Sequence, residues 1–254
     1  MDRIRRLDEE RKFHDAQARE RLTQIDEASE AHTAKTYLDH APWIRPGLDL
    51  LEPLNGKTAL DLGAGHGWAA LELARRGANV LGTDLSWGYC NEARLRHLRL
   101  GYNTRFFQAD GEQLPLGDES IERIWGNAIL HHLDTKSAIR EVKRILAPGG
   151  IAVFCEPWGG NPMIALARKW LPYPGKERTR DEAPWTNKDL GLWREAFPDH
   201  RIESFELFSA LRRFGGTGAN WPLISIVDRF LFRVVPALGK FARYRMICVR
   251  KKQG

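Results

Sequence analysis

Cysteine is scarce. The 254 residues hold three, Cys90, Cys155 and Cys248, far apart and with no C-x-x-C. That excludes a disulfide framework and a cysteine-built zinc site, and it suits a reducing compartment. No run of about 20 uncharged apolar residues exists, the length a spanning helix needs. The most apolar stretch, Trp221–Leu238, is interrupted by Asp228, Arg229 and Arg233 and broken by Pro222 and Pro236. The crowded charges of Met1–Arg21 exclude the apolar core of a secretory signal. A cytoplasmic location is expected, with peripheral membrane attachment left open. No period of about 20–50 residues recurs, which excludes repeat arrays.

Acid is missing from one end. From Ser209 to Gly254 there are ten Lys and Arg against a single acid, Asp228. The first 208 residues hold 29 basic and 32 acidic groups, so the net charge of +6 is a body at −3 with a tail at +9. A basic balance ordinarily raises nucleic acid as a partner, but the body is mildly acidic, and nucleic acid is disfavoured. With 43% apolar and 28% charged residues the chain is globular rather than disordered.

Residues 2–36 are mostly charged and read as one or two helices lying on something else. The stretch around Pro42, Pro46, Gly47 and Pro53 reads as a linker. From Lys57, short apolar runs alternate with helical segments. The runs are Thr58–Leu62, Asn79–Asp84, Thr104–Ala109, Ile121–Gly126 and Ile151–Cys155; the helices are Trp68–Arg76, Trp87–Leu100 and Thr135–Leu146, the last stopped by Pro148-Gly149-Gly150. Such alternation implies a parallel sheet covered on both faces. Further on, helices are expected at Met163–Trp170 and Asn187–Phe197, and strands at Arg201–Phe208 and Tyr244–Arg250. No crossover helix is evident between those strands, which suggests antiparallel pairing at the sheet edge.

The sharpest local signal is Leu60-Asp61-Leu62-Gly63-Ala64-Gly65-His66-Gly67, closing the first strand and opening a helix. A dinucleotide fingerprint needs G-x-G-x-x-G, and its third glycine falls on Trp68. A P-loop is absent too. Asp84 ends the second strand, 19 residues after Gly65, where a carboxylate can accept from both hydroxyls of a ribose. At the end of the third strand, Asp110-Gly111 offers an acceptor for an exocyclic adenine amine. The implied ligand carries a ribose without a diphosphate.

Together these motifs resemble the class I S-adenosylmethionine-dependent methyltransferases, over roughly residues 57–156. Trp125-Gly126-Asn127-Ala128-Ile129-Leu130-His131-His132-Leu133 resembles the stretch after strand four in small-molecule members. Glu141–Gly150 is similar to the helix and turn before strand five in the ubiquinone/menaquinone-methyltransferase-like (type 11) group. The resemblance implies a Rossmann-like, doubly wound α/β fold. Its mostly parallel seven-stranded sheet would carry N-terminal helices and a helical insertion between the last two strands. It implies S-adenosylmethionine as cofactor, with Asp61 near the methionine amino group, Asp84 on the ribose, Asp110 on the adenine and Asn127 beside the methionine moiety. Gly63, Ala64, Gly65, Gly67, Leu85 and Gly111 complete the expected cofactor residues. The expected organisation is an N-terminal lid or linker over 1–50 and a methyltransferase domain over 51–254.

The sulfonium donor is already activated, so the protein must mainly align the acceptor and exclude water. A general base is needed only for a weak acid such as a hydroxyl. His131 or His132 is the candidate, with Glu156 at the same sheet edge to orient it. Adjacent residues point apart, so at most one histidine faces the acceptor. His131, His132 and Asp134 make no recognisable metal-ligand spacing, and no metal is expected. His14-Asp15, Tyr37 and Trp43 are lid candidates. No Asn/Asp-Pro-Pro-aromatic run follows strand four, which disfavours DNA adenine and protein glutamine acceptors; Cys155 reads as a small apolar strand residue.

In the insertion 212–243, positions 223, 226, 227, 230, 231, 234, 235 and 238 are apolar at helical spacing. Such a helix covers an apolar acceptor pocket, pairs in a homodimer or lies on a membrane surface. The expected activity is methyl transfer to a small, apolar or amphipathic molecule (a lipid, quinone, glycolipid or secondary metabolite), with O-methylation favoured. Two other readings stay open. One is a tRNA or rRNA methyltransferase using the basic tail; the other is a non-catalytic protein that keeps the fold, against which the intact Gly63, Asp84 and Asp110 argue.

Overall fold

Short apolar runs closed by glycine or aspartate form the strands. The computed structural model describes residues 3–22, 36–162, 184–209 and 221–253. Its strands are β1 (Thr58–Leu62), β2 (Asn79–Asp84), β3 (Arg105–Gln108), β4 (Ile121–Asn127), β5 (Leu146–Pro157), β6 (His200–Phe205) and β7 (Tyr244–Arg250). They make one sheet in the order β3-β2-β1-β4-β5-β7-β6. β1 to β5 are parallel, and β7 runs antiparallel between β5 and β6. The antiparallel edge is the one the sequence suggested. β5 starts earlier than expected, because Pro148-Gly149-Gly150 lie within its span instead of merely ending a helix. There Gly149 N–H donates to the Lys251 carbonyl and Lys251 N–H to that of Gly150, extending the pairing beyond β7.

The helices are α1 (Arg3–Leu22), α2 (Ile44–Asp49), α3 (Trp68–Arg75), α4 (Trp87–Arg99), α5 (Thr135–Ile145), α6 (Asn187–Ala196) and α7 (Trp221–Val234). Successive strand residues face opposite sides of the sheet, and each side has its own apolar layer. Leu60, Ile124, Ala152 and Phe154 pack with Ile139, Val142 and Ile145 of α5 and with Leu190 and Trp193 of α6. Ala59, Trp125, Val153 and Cys155 pack with Ala70 and Leu73 of α3 and with Ile44 and Leu48 of α2.

The stretch expected to be a linker is therefore part of the core. Trp43, Ile44, Leu48, Leu51 and Leu54 are all buried. Their spacing is helical, but Pro46, Gly47 and Pro53 among them gave the stretch the composition of a loop. Gly47 is required by contact, since a Cβ there would lie 2.5 Å from the Trp125 ring. The helix expected at Met163–Trp170 and the first part of the insertion, 212–220, lie outside the described residues. The rest of the insertion is α7 and a 3-10 turn over Pro236–Phe241. None of the described helices is long and apolar enough to cross a membrane.

β1 is followed by β2 on one side and paired with β4 on the other. This reversal opens a crevice at the carboxyl ends of the parallel strands, where open α/β sheets bind ligands.

Candidate active site

A cavity of about 380 Å³ occupies that crevice. Gly63, Gly65, Asp84, Leu85, Asp110, Gly111 and Asn127 line it, seven of the ten residues expected around the cofactor. The other three stand behind the wall. Ala64 N–H donates to the Thr83 carbonyl (2.8 Å), tying the loop to β2. Gly67 takes φ +77° at the start of α3, and a Cβ there would lie 2.7 Å from that of Ala93 in α4. It is a packing glycine. Asp61 is buried, its carboxylate accepting from Ala70 N–H (2.9 Å) in the first turn of α3. A wider depression on the outside, around Glu112, Ser137 and Arg140, has Arg144 fully engaged with Glu141, Asp118 and two backbone carbonyls.

Gly65 shows why the loop needs glycine at its tip. Its φ is +48° and a Cβ there would meet nothing within 4 Å, so the backbone turns its bare side to open space. Its N–H donates to Asp84 Oδ2 (3.0 Å), while Oδ1 accepts from Ser86 N–H (2.9 Å). One carboxylate thus fixes the loop tip and starts α4. Burial raises the pKa of Asp84, opposed by the Ser86 and Gly65 N–H groups and by the nearby His14 and His66. On the opposite wall, Trp43 Nε1–H donates to Asn127 Oδ1 (2.7 Å), and the Trp43 ring stacks on Tyr244 at 3.9 Å. An indole N–H can only donate, so the Asn127 oxygen is the acceptor and its NH₂ is the donor available to a ligand. Trp43 is thus a brace for the wall.

The strand β4 ends in a strained turn. Ala128 takes φ +57° and its N–H donates to the Cys155 carbonyl. Left-handed backbone at a non-glycine residue marks a place that its surroundings over-determine. Those surroundings are Glu156, fully buried, whose Oε1 accepts from the N–H groups of Ile129 (3.0 Å) and Leu130 (2.8 Å). Its Oε2 lies 2.7 Å from His131 Nδ1. Glu156 therefore orients a histidine, but that histidine faces inward: His131 and Glu156 do not line the cavity, whereas His132 does. His132 Nδ1 is 2.7 Å from Glu10 Oε1.

Glu10 comes from α1, and nothing in the sequence singles it out. Leu7, Glu10 and His14 recur at helical spacing and line the cavity, while Asp15, Gln17 and Ala18 anchor the helix. Asp15 accepts from Ser86 Oγ (2.5 Å) and Gly88 N–H (2.9 Å), and Tyr89 OH donates to Gln17 (2.8 Å). α1 is fixed to the N-terminus of α4, next to Asp84.

Residues 60–154 match the model of a family described as a methyltransferase domain. Dimethylglycine N-methyltransferase of Parasynechococcus marenigrum is 37% identical over 122 residues, covering 45% of this chain and 42% of that protein. Demethylmenaquinone methyltransferase of Corynebacterium kroppenstedtii is 32% identical over 115 residues, covering 45% and 48%. The chain thus spans less than half of either relative. The structure of geranyl diphosphate C-methyltransferase from Streptomyces coelicolor, solved with S-adenosyl-L-homocysteine, superposes with a TM-score of 0.59 at 16% identity, covering 84% of this chain and 78% of that one. Residues 60–154 are a methyltransferase domain.

The cavity of this methyltransferase domain suits its cofactor. His14 Nδ1 and Thr83 Oγ1 are buried, line the cavity, and have no hydrogen-bond partner among the described residues. Buried polar atoms of this kind call for a polar ligand. Burial pushes the Asp61 carboxyl up to about 7, against the Ala70 N–H and with Asp84 adding to the rise. A carboxyl raised above its unfolded value near 3.8 binds more protons folded than unfolded between those pH values. Stability therefore falls as pH climbs from about 4 to 7 and regains nothing above it. Asp61→Asn, which keeps an acceptor for Ala70, should flatten that slope by an amount on the order of a few kcal/mol. Urea denaturation of both proteins at about pH 4.5 and about pH 7.5 checks this; an unchanged slope would place the titration elsewhere.

Proposed function

We propose that this chain transfers a methyl group from S-adenosylmethionine to a hydroxyl of a small, apolar or amphipathic molecule. The observation that carries the proposal is the Glu10–His132 pair on the wall of the cavity that holds Gly65, Asp84 and Asn127. When bound, the cofactor supplies a methyl group activated by its sulfonium. Asp84 and Asp110 would hold its ribose and adenine, and Asn127 its methionine end. The turn that carries His132 also contributes Ile129 and Leu133 to the wall, and the lid adds Leu7. This lining favours an apolar acceptor and sheds water from the reacting atoms. The quinone acceptor in the name of the Corynebacterium relative has the same character.

A carboxylate beside Nδ1 makes that nitrogen the donor, which places the lone pair of a neutral His132 on Nε2. That lone pair is suited to take the proton of an acceptor hydroxyl. Glu10 is a positioning residue: it fixes the tautomer and the ring. His132→Ala should lower kcat by about 100-fold with cofactor affinity unchanged within about threefold. Glu10→Gln should lower kcat by about 10-fold, with cofactor affinity again unchanged within about threefold. The assay is release of S-adenosylhomocysteine over a panel of quinols, phenols, lipids and tRNA. Full turnover by His132→Ala would assign the acceptor to carbon or nitrogen, and methylation of tRNA alone would overturn the small-molecule reading.

A further inference from the structure

The tail's positive charge and its exposed apolar surface meet on α7. Leu223, Ile226, Val227, Phe230 and Val234 are 50–64% exposed. At about 100° per residue they fall within one arc of roughly 100°. Arg229 and Arg233 are exposed along one flank of that arc. Asp228, the single acid between Ser209 and Gly254, lies on the other side of the helix and is buried. Its carboxylate accepts from the N–H groups of Leu207 (2.9 Å), Phe208 (3.0 Å) and Ser209 (3.0 Å) and from Ser209 Oγ (2.6 Å). The helix is thus pinned through its only negative charge, and its outer face carries apolar and cationic groups alone.

Topology places the anchor of that helix at the working edge of the sheet. Tyr244 of β7 pairs with Pro157 of β5 and Phe205 of β6. The loop that receives Asp228 therefore leaves β6 at the same edge as the carboxyl ends of β1, β2 and β4, where the cavity opens. Tyr244 also stacks on the Trp43 that braces Asn127.

We propose that α7 is a membrane-docking helix, seating its Leu223–Val234 face in the interface of a bilayer rich in anionic lipid. Apolar side chains enter the acyl boundary while Arg229 and Arg233 meet lipid phosphates. Charge decides against a second copy of the chain. Two-fold pairing of this face would set arginines near arginines with no acid on the outer face to answer them. The inference stands apart from the chemistry of methyl transfer.

The test is flotation of the full chain with phosphatidylcholine vesicles, with and without about one third phosphatidylglycerol. The wild type should float with the anionic vesicles and release as salt rises. Phe230→Glu, on a side chain 64% exposed, should lose at least about 10-fold in vesicle affinity while keeping its melting temperature and cofactor binding. The double variant Arg229→Ala/Arg233→Ala should lose the preference for anionic over neutral vesicles. Absence of wild-type flotation overturns the proposal, as does flotation by Phe230→Glu equal to the wild type. So does a dimer in sedimentation that Phe230→Glu splits without any vesicle binding.

Discussion

Asp84→Ala is expected to weaken cofactor binding by 100-fold or more. Each oxygen of this carboxylate already accepts one backbone N–H, from Gly65 and from Ser86, and each keeps a further lone pair. A ribose diol donating to both would form two hydrogen bonds to a charged acceptor, worth about 1.5–3 kcal/mol each. Their loss corresponds to about 100-fold to 10⁴-fold in affinity. The loop loses its own tie in the same substitution, because Gly65 no longer has its acceptor. Asp84→Asn separates the two effects. Its amide oxygen keeps one backbone partner and the side-chain volume, so the loop survives while the charge is gone. An intermediate loss of about 10-fold to 100-fold is expected there. Asp110→Ala should cost less, because Asp110 is partly exposed and its Oδ1 is occupied by Glu112 N–H. Calorimetric titration with S-adenosylhomocysteine measures all three. Binding by Asp84→Ala within about threefold of the wild type would remove Asp84 from the ribose site.

The parts of the site carried by the central strands were legible because local signals and global fold agree there. β1 and β2 occupy the same residues the apolar runs marked, Thr58–Leu62 and Asn79–Asp84. Glycine follows the first run and an acid closes the second, so the turn chemistry and the ligand chemistry share residues. Asp84 was readable for the same reason: its place at a strand end is fixed by sequence distance from the glycine loop. Where the partner is remote in sequence, the reading stopped. Glu10 stands 122 residues from His132, on a helix with charges on every side and no apolar stripe to announce a buried face. Trp43 sits 84 residues from Asn127, in a segment whose prolines masked the helical spacing of Ile44 and Leu48. Gly67 looked like a ligand contact because glycine motifs are the same whether the close approach is by a ligand or by Ala93 of a packed helix. His131 and His132 could not be told apart as neighbours in one turn. The buried Glu156 decides between them, drawing one ring inward and leaving the other on the cavity wall.

That division of labour makes Glu156→Ala the most damaging single change expected outside the cofactor site. The carboxylate is fully buried and answers Ile129 N–H, Leu130 N–H and His131 Nδ1 together. Truncation leaves three buried or half-buried polar groups without an acceptor, at about 1–3 kcal/mol each. A total of about 3–9 kcal/mol is a large part of the 5–15 kcal/mol typical of a folded domain. At about 2–4 °C per kcal/mol, the melting temperature should fall by roughly 6–36 °C. Glu156→Gln tests whether this reflects hydrogen bonding instead of volume. Its amide oxygen can still serve Ile129 and Leu130, and its NH₂ can donate to Nδ1 if His131 changes tautomer. The expected loss is about 1–2 kcal/mol. Activity should track the turn instead of the melting point. Ala128 holds a left-handed backbone directly before the residues that Glu156 binds, and His132 lies on that same turn. Glu156→Gln should therefore lower kcat at a temperature where it is fully folded, with cofactor affinity close to the wild type. Differential scanning calorimetry beside the S-adenosylhomocysteine release assay separates these effects. A Glu156→Ala protein melting within a few degrees of the wild type would show that the turn is held by packing of Ile129 and Leu130, not by the carboxylate beneath them.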